Sequence, residues 1–169
     1  MKNYNFKIFL ENKYNLQPIE NLYDSVFGKN RNERTVYNLR AGKKLVDLCF
    51  VIKKTDTDIY ACIRYWLIKM GLEKGLLLGP LAVRKDMQRH GLGSLLIKHS
   101  LKIAKDKKFK FCFVSGESDY YPKFGFKRIN ENNVILPGLI DPERLHIMFL
   151  EEGIENKMGV KPWIIKSSN

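Results

Sequence analysis

Little in this sequence could staple, anchor or metallate it. Its 169 residues contain only three cysteines, Cys49, Cys62 and Cys112. They are odd in number, widely spaced and each set in an apolar run, so they read as buried thiols rather than as disulfides or metal ligands. The three histidines, His90, His99 and His146, never reach C-x2-C or H-x3-H spacing with the cysteines or each other, which leaves no basis for a zinc site. Long apolar runs are missing too. No uncharged run exceeds the nine residues 75–83, half of the roughly 18 that a membrane-spanning helix requires. The N-terminal residues MKNYNFKIFLENKYN hold no apolar core of the kind a secretory signal needs, and the chain is expected in the cytosol. Acidic residues are scarce as well, 18 against 30 basic ones, for a net charge of +12. Such an excess attracts polyanions, and composition leaves nucleic acid, anionic lipid and a phosphate-rich small molecule all open. The one dense lysine cluster, residues 105–110, reads as the solvated end of a helix, where cations suit the dipole.

What is present is the patterning of a packed domain. Apolar residues at 44% and charged residues at 28% sit near globular averages, so general disorder is excluded and the length fits one domain. Loose alternation over residues 4–11 predicts a first strand. Ile19, Leu22, Tyr23, Val26 and Phe27 follow i, i+3, i+4, i+7, i+8, the stripe of an amphipathic helix over 17–27 that Gly28 ends. A short helix is predicted over 32–39. Strand-like runs at 44–52, 59–68 and 76–83, separated by the polar stretch 53–58 and by 70–74 around Gly71, predict an antiparallel meander. After Val83 the period changes. Leu92, Leu95, Leu96, His99, Ser100, Ile103 and Ala104 share one helical face, and the helix should end near Lys107. Residues 111–114 are wholly apolar and suit a strand buried on both faces. A brief helix or turn at 120–124 and two strands near 126–129 and 145–150 complete the sheet. The expectation is one α/β domain with a mixed, mostly antiparallel sheet flanked by helices, closed by a tail, 154–169, that packs loosely through Trp163.

The chemistry concentrates in residues 78–94, LGPLAVRKDMQRHGLGS. A strand runs into a loop with glycines at 91 and 93, and a helix opens directly behind. Without a Cβ those glycines let backbone N–H groups approach a ligand, and a helix N-terminus favours negative charge. Arg89 and His90 add donors, so the segment reads as a cradle for a pyrophosphate. The third glycine of a dinucleotide fingerprint is absent, Leu96 standing in its place, and so is the G-K-[ST] of a P-loop. Gln88-x-x-Gly91-x-Gly93 instead resembles the Q/R-x-x-G-x-G/A signature of the Gcn5-related N-acetyltransferase (GNAT) family, in the same order of strand, signature and helix. The strand 78–83, the segment GESDYYPKFGF at 116–126, and LPG at 136–138 with DPERL at 141–145 are similar to the YhbS-like branch of that family. The likeness spans roughly residues 34–152.

That resemblance implies the acyl-CoA N-acyltransferase fold and transfer of an acetyl group from acetyl-CoA to an amine, without naming the amine. It implies a bulge on the strand before the signature, consistent with Pro80, so that the main chain of Leu81, Ala82 and Val83 meets the pantetheine arm and the thioester. It places the pyrophosphate on Gln88, Arg89, His90, Gly91, Leu92, Gly93 and Ser94. Tyr121, with three residues between it and Gly125-Phe126, matches the family tyrosine that protonates the departing thiolate. Tyr120 reads as a packing aromatic. The general base stays open between Glu73, Glu117 and a water chain, and His99 and His146 read as core or cap residues. No metal is implied. The partners expected are acetyl-CoA and an amine acceptor, with no specific nucleic acid and no membrane, in a monomer or homodimer. A noncatalytic acyl-CoA sensor on the same fold is the rival, and a nucleic-acid or ribosome-associated protein a further one, though no interleaved stacking surface is visible for it.

Overall fold

A computed structural model describes residues 6–158 and 160–168 of the chain. The elements are β1 (Ile8–Leu10), α1 (Leu16–Phe27), β2 (Phe50–Lys53), β3 (Ile59–Met70), β4 (Glu73–Val83), α2 (Leu92–Asp106), β5 (Phe111–Ser115), β6 (Lys127–Arg128), β7 (Val134–Ile135), β8 (Leu145–Phe149), α3 (Ile154–Lys157) and β9 (Trp163–Ser167). The main sheet runs β1-β2-β3-β4-β5-β8-β6. Its pairings are antiparallel except for β4 with β5. The chain reaches β5 from β4 through α2, a parallel crossover that needs a helix of about this length. β9 pairs antiparallel with the end of β3 and parallel with β7.

β3 is nearly continuous in apolar residues because helices and turns cover both of its faces. Ile63 and Tyr65 pack with Leu92, Leu96 and Leu101 of α2 on one side. Cys62 packs with Ile19, Leu22 and Tyr23 of α1 on the other, so residue alternation along the strand serves two cores. Each such side chain contributes roughly 1.5–3 kcal/mol on full burial. The polar atoms in these layers are paired: the Tyr65 hydroxyl lies 2.8 Å from Ser100 Oγ, which also bonds the Leu96 carbonyl at 2.7 Å. α1 ends where expected, at Gly28 with φ 86°, whose N–H donates to the Asp24 carbonyl. Charge ties α1 to the sheet as well. The Arg64 guanidinium bonds both oxygens of Glu11, at 2.7 and 2.9 Å, and Oε1 of Glu20 at 2.7 Å, while Lys44 holds Glu11 at 2.9 Å.

The structure departs from the sequence reading in three places. Instead of a helix over 32–39 there are two 3-10 segments, Lys29–Glu33 and Thr35–Arg40, because Arg34 between them is extended at φ −69° and ψ 134°. The strand expected over 44–52 shortens to β2, with a 3-10 turn at Val46–Leu48 ahead of it. The tail is not loosely packed. Trp163 is buried against Phe149, and β9 pairs through Ile165, Lys166 and Ser167 with β3, while the Ser168 N–H donates to the Leu67 carbonyl at 3.0 Å. Of the first predicted strand, residues 4 and 5 lie outside the described residues.

Candidate active site

The cleft forms where β4 and β5 part. The two strands pair only through Leu76 with Cys112 and Leu77 with Phe113. Just beyond, the register between β3 and β4 shifts: Tyr65 faces Leu78 and Ile63 faces Leu81, so Gly79 and Pro80 stand opposite Arg64 alone. This is the bulge expected at Pro80, and it bends β4 away from its neighbour. The bulge carbonyls are claimed by side chains, Gly79 by the Trp66 indole at 2.9 Å and Pro80 by the Tyr23 hydroxyl at 3.4 Å. Past the bulge, the Arg84 N–H donates to the Tyr60 carbonyl at 2.8 Å. Alternation in an antiparallel ladder therefore directs the main chain of Ala82 toward β3 and that of Leu81 and Val83 to the opposite edge, into the cleft. Ala82 packs with the α1 core instead and does not line the cavity.

A cavity of about 1040 Å³ occupies the cleft. One end is the N-terminus of α2. Gly91 caps the helix in the left-handed region at φ 79°, and the N–H groups of the first turn have no intrahelical acceptor. A Cβ on Gly91 would meet nothing within 4 Å, so there is room for a phosphate beside these donors. Gln88 ties the loop to the strand through the Val83 carbonyl at 3.3 Å, and Arg84 pins it through ion pairs with Asp58 and Asp86. Gln88, Arg89, Gly91, Leu92, Gly93 and Ser94 line the cavity. His90 does not; its ring nitrogen is 2.9 Å from the Gln88 carbonyl.

Two tyrosines also line the cavity. Tyr121 is 7% exposed, its ring so close to Gly116 that a Cβ there would sit 2.0 Å away, and packs edge-on against Phe126. Burial pushes its phenol well up, with Tyr120 and Cys112 adding to the effect, so it stays protonated across the neutral range. The Tyr120 hydroxyl reaches the α2 terminus: it would lie 2.6 Å from a Cβ on Gly93, and it meets the Ser94 side chain. Burial raises this phenol too, with Ser94 opposing. Thus the residue read as plain packing sits on the phosphate end, while Tyr121 lies deeper.

Of the base candidates, Glu117 lines the cavity, whereas Glu73 opens β4 opposite Met70 and does not. His146 is buried in β8, with Nδ1 3.0 Å from the Arg144 carbonyl. His99 is exposed, its ring edge-on to Phe50. All three cysteines are buried and free, and burial pushes their thiols up, to about 11 for Cys49 and about 12 for Cys62. The sequence reading missed the cavity's other end. There the 3-10 segments contribute Glu33, Arg34, Tyr37 and Arg40 to the lining, which Asp141 and Arg144 join from a distant part of the chain. No spacing in the sequence announces them, because they come from two irregular segments far apart in the chain.

Comparison with known proteins agrees with this fold. The family model described as Acetyltransferase (GNAT) domain matches residues 46–128. The GNAT N-acetyltransferase YhbS from Escherichia coli, solved in complex with CoA, superposes with a TM-score of 0.73 at 16% identity, covering 96% of this chain and 89% of its own. A GNAT acetyltransferase from Brucella melitensis in complex with acetyl-CoA gives 0.64 at 25% identity, covering 86% of this chain and 88% of its own. No curated protein matches the chain.

Proposed function

We propose that this chain, which belongs to the GNAT acetyltransferase family, transfers the acetyl group of acetyl-CoA to a primary amine by direct attack on the thioester. The observation that carries the reading is that one cavity joins the α2 N-terminus to the free edge of β4 past the Gly79-Pro80 bulge. Pyrophosphate suits the first-turn N–H groups and Arg89. The pantetheine arm suits the outward main chain of Leu81 and Val83, which fixes the thioester for a near-attack approach. The incoming amine adds to the thioester carbon, and the tetrahedral intermediate collapses with loss of the CoA thiolate. Tyr121 supplies the proton to that sulfur, a role that a phenol kept protonated by burial can fill. Glu117, exposed at the cavity rim, is placed to accept the ammonium proton through water. Titration calorimetry with acetyl-CoA, followed by a mass-detected assay of amine acetylation, tests the proposal. Micromolar binding with catalytic turnover is expected; acetyl-CoA binding with no acetylated amine would instead favour a sensor, and no binding would remove both readings.

A further inference from the structure

Arginine accounting singles out the end of the cavity away from α2. Arg31, Arg64, Arg84 and Arg128 each pair with a carboxylate. The other four arginines of the chain, Arg34, Arg40, Arg89 and Arg144, make no ion pair among the described residues, and all four line this one cavity. Arg89 belongs to the phosphate end. The remaining three do not, and Arg40 is the most confined of them. Its guanidinium stacks 4.0 Å from the Tyr37 ring centroid, and its Nε and Nη1 are buried without a hydrogen-bond partner. Burial pulls its pKa below the usual arginine value, with a side-chain hydrogen bond to Tyr37 opposing, and no carboxylate among the described residues pairs with it. A buried donor left unpaired is costly, and a buried charge more so, so this edge of the guanidinium lowers stability as it stands and has the chemistry to take an anion.

The position of Arg40 says which anion. Its Nη2 would be 3.1 Å from a Cβ on Gly79, so it lies against the bulge. Gly79 is four residues before Val83, roughly 13 Å along an extended strand from the end that feeds the helix N-terminus. On the acetyltransferase reading, on which this inference rests, the pyrophosphate is at that far end and Arg40 stands where the acceptor enters. The same cavity is also lined by Glu33, Glu117 and Asp141, none of which forms an ion pair with these arginines. Opposite charges held apart around a cavity match a molecule that carries both signs.

We infer that the acceptor is a small amine that also bears a carboxylate, an amino acid or a close analogue, its carboxylate taken by Arg40 with Arg34 or Arg144 and its ammonium turned toward the acidic side chains. Guanidinium suits this task because its planar fork accepts a carboxylate through two parallel hydrogen bonds.

The test compares matched amines that differ only in the carboxylate, propylamine with β-alanine and tyramine with tyrosine, extended to the common amino acids. In the wild-type enzyme the preferred carboxylated amine should exceed its neutral partner at least tenfold in kcat/KM. Arg40→Met keeps the length and the contact with Tyr37 but removes the charge. It should abolish that preference through KM, leave acetyl-CoA affinity unchanged and raise Tm, since a confined unpaired charge is replaced by an apolar chain. Equal or better use of the neutral amines, a preference that survives Arg40→Met, or bound acetyl-CoA with no amino acid acetylated would each overturn the inference while leaving the family reading intact. A protein that binds no acetyl-CoA fails the acetyltransferase reading itself. The anion subsite is then judged by whether millimolar amino acids raise Tm in wild type and not in Arg40→Met; absence of that shift overturns it too.

Discussion

At the scale of single residues, the two adjacent tyrosines separate cleanly. Tyr121→Phe keeps the ring that fills the space beside Gly116 and removes only the proton donor, so turnover should fall on the order of 10²-fold with acetyl-CoA affinity little changed. Tyr120→Phe should leave turnover close to wild type, because its hydroxyl serves Ser94 and the helix terminus. Steady-state rates of the two variants decide it; a loss confined to Tyr120→Phe would move the acid one residue back. The glycines of the signature also differ in kind. Gly93 must be small because of Tyr120: an added methyl falls 2.6 Å from its hydroxyl but 3.7 Å from its ring carbon Cζ. Gly93→Ala should therefore lower Tm, and Tyr120→Phe in the same chain should restore most of the loss, which thermal melts of the single and double variants will show. Gly91 faces open space, so Gly91→Glu carries only the strain of a left-handed residue, about 1–2 kcal/mol, and remains folded. Its carboxylate enters the phosphate end, and calorimetry should find acetyl-CoA affinity reduced at least tenfold; unchanged affinity would displace the pyrophosphate from this helix terminus.

At the scale of elements, charge adds to apolar burial in holding α1 and the segment after it. Burial works against ionisation of Glu11, but Arg64 and Lys44 outweigh it and hold the carboxyl below its ordinary 4.5. A depressed folded pKa means that the stabilisation is complete above about 4.5, the value in the unfolded chain, and is lost as pH falls through the lower folded value. Glu11→Gln removes the charge behind two of the three carboxylate contacts of Arg64 and leaves it Glu20, so it should cost roughly 1.5–3 kcal/mol at pH 7. In urea titrations the gap between wild type and Glu11→Gln should narrow below pH 4.5; a gap constant down to pH 3 would show that Glu11 acts through packing alone. The same contrast between local pattern and distant contact explains what the sequence disclosed. α1, α2 and the β3-β4 hairpin were legible because period and turn glycines lie within each segment, and the α2 cradle was legible because strand, glycines and helix are contiguous. The 3-10 course of 29–40 was not, since Arg31 is drawn to Glu20 and Asp24 on α1. Nor was β9, whose partners β3 and β7 lie far upstream. Arg34, Arg40 and Arg144 stayed hidden for a related reason: what marks them is that no carboxylate among the described residues pairs with them in three dimensions.

At the scale of the whole molecule, the charge of +12 poses the question of a polyanionic partner again, and the placement of the lysines frames a test of it. The densest cluster is partly neutralised, Lys107 by Asp47 at 3.1 Å and Lys110 by Glu151. Lys98, Lys102 and Lys105 instead project from α2 into a second hollow of about 370 Å³, floored by Leu101, Phe124 and Met148 and joined by Lys123, which also lines the main cavity. Cations gathered around a small apolar floor beside the cleft serve a compact ligand of a few phosphates better than a duplex, which needs many contacts along one face. Affinity for a polyelectrolyte falls with salt in proportion to the number of phosphates neutralised. Binding to random duplex DNA should therefore be weak at physiological salt and steeply salt-dependent, while acetyl-CoA, with only a few phosphates to contact, should lose far less affinity over the same range. Fluorescence anisotropy with a labelled duplex, run beside acetyl-CoA calorimetry from about 50 to 200 mM salt, makes the comparison. Submicromolar duplex binding at the upper end would mean that the basic surface is built for nucleic acid and that the cleft is not its chief anion site.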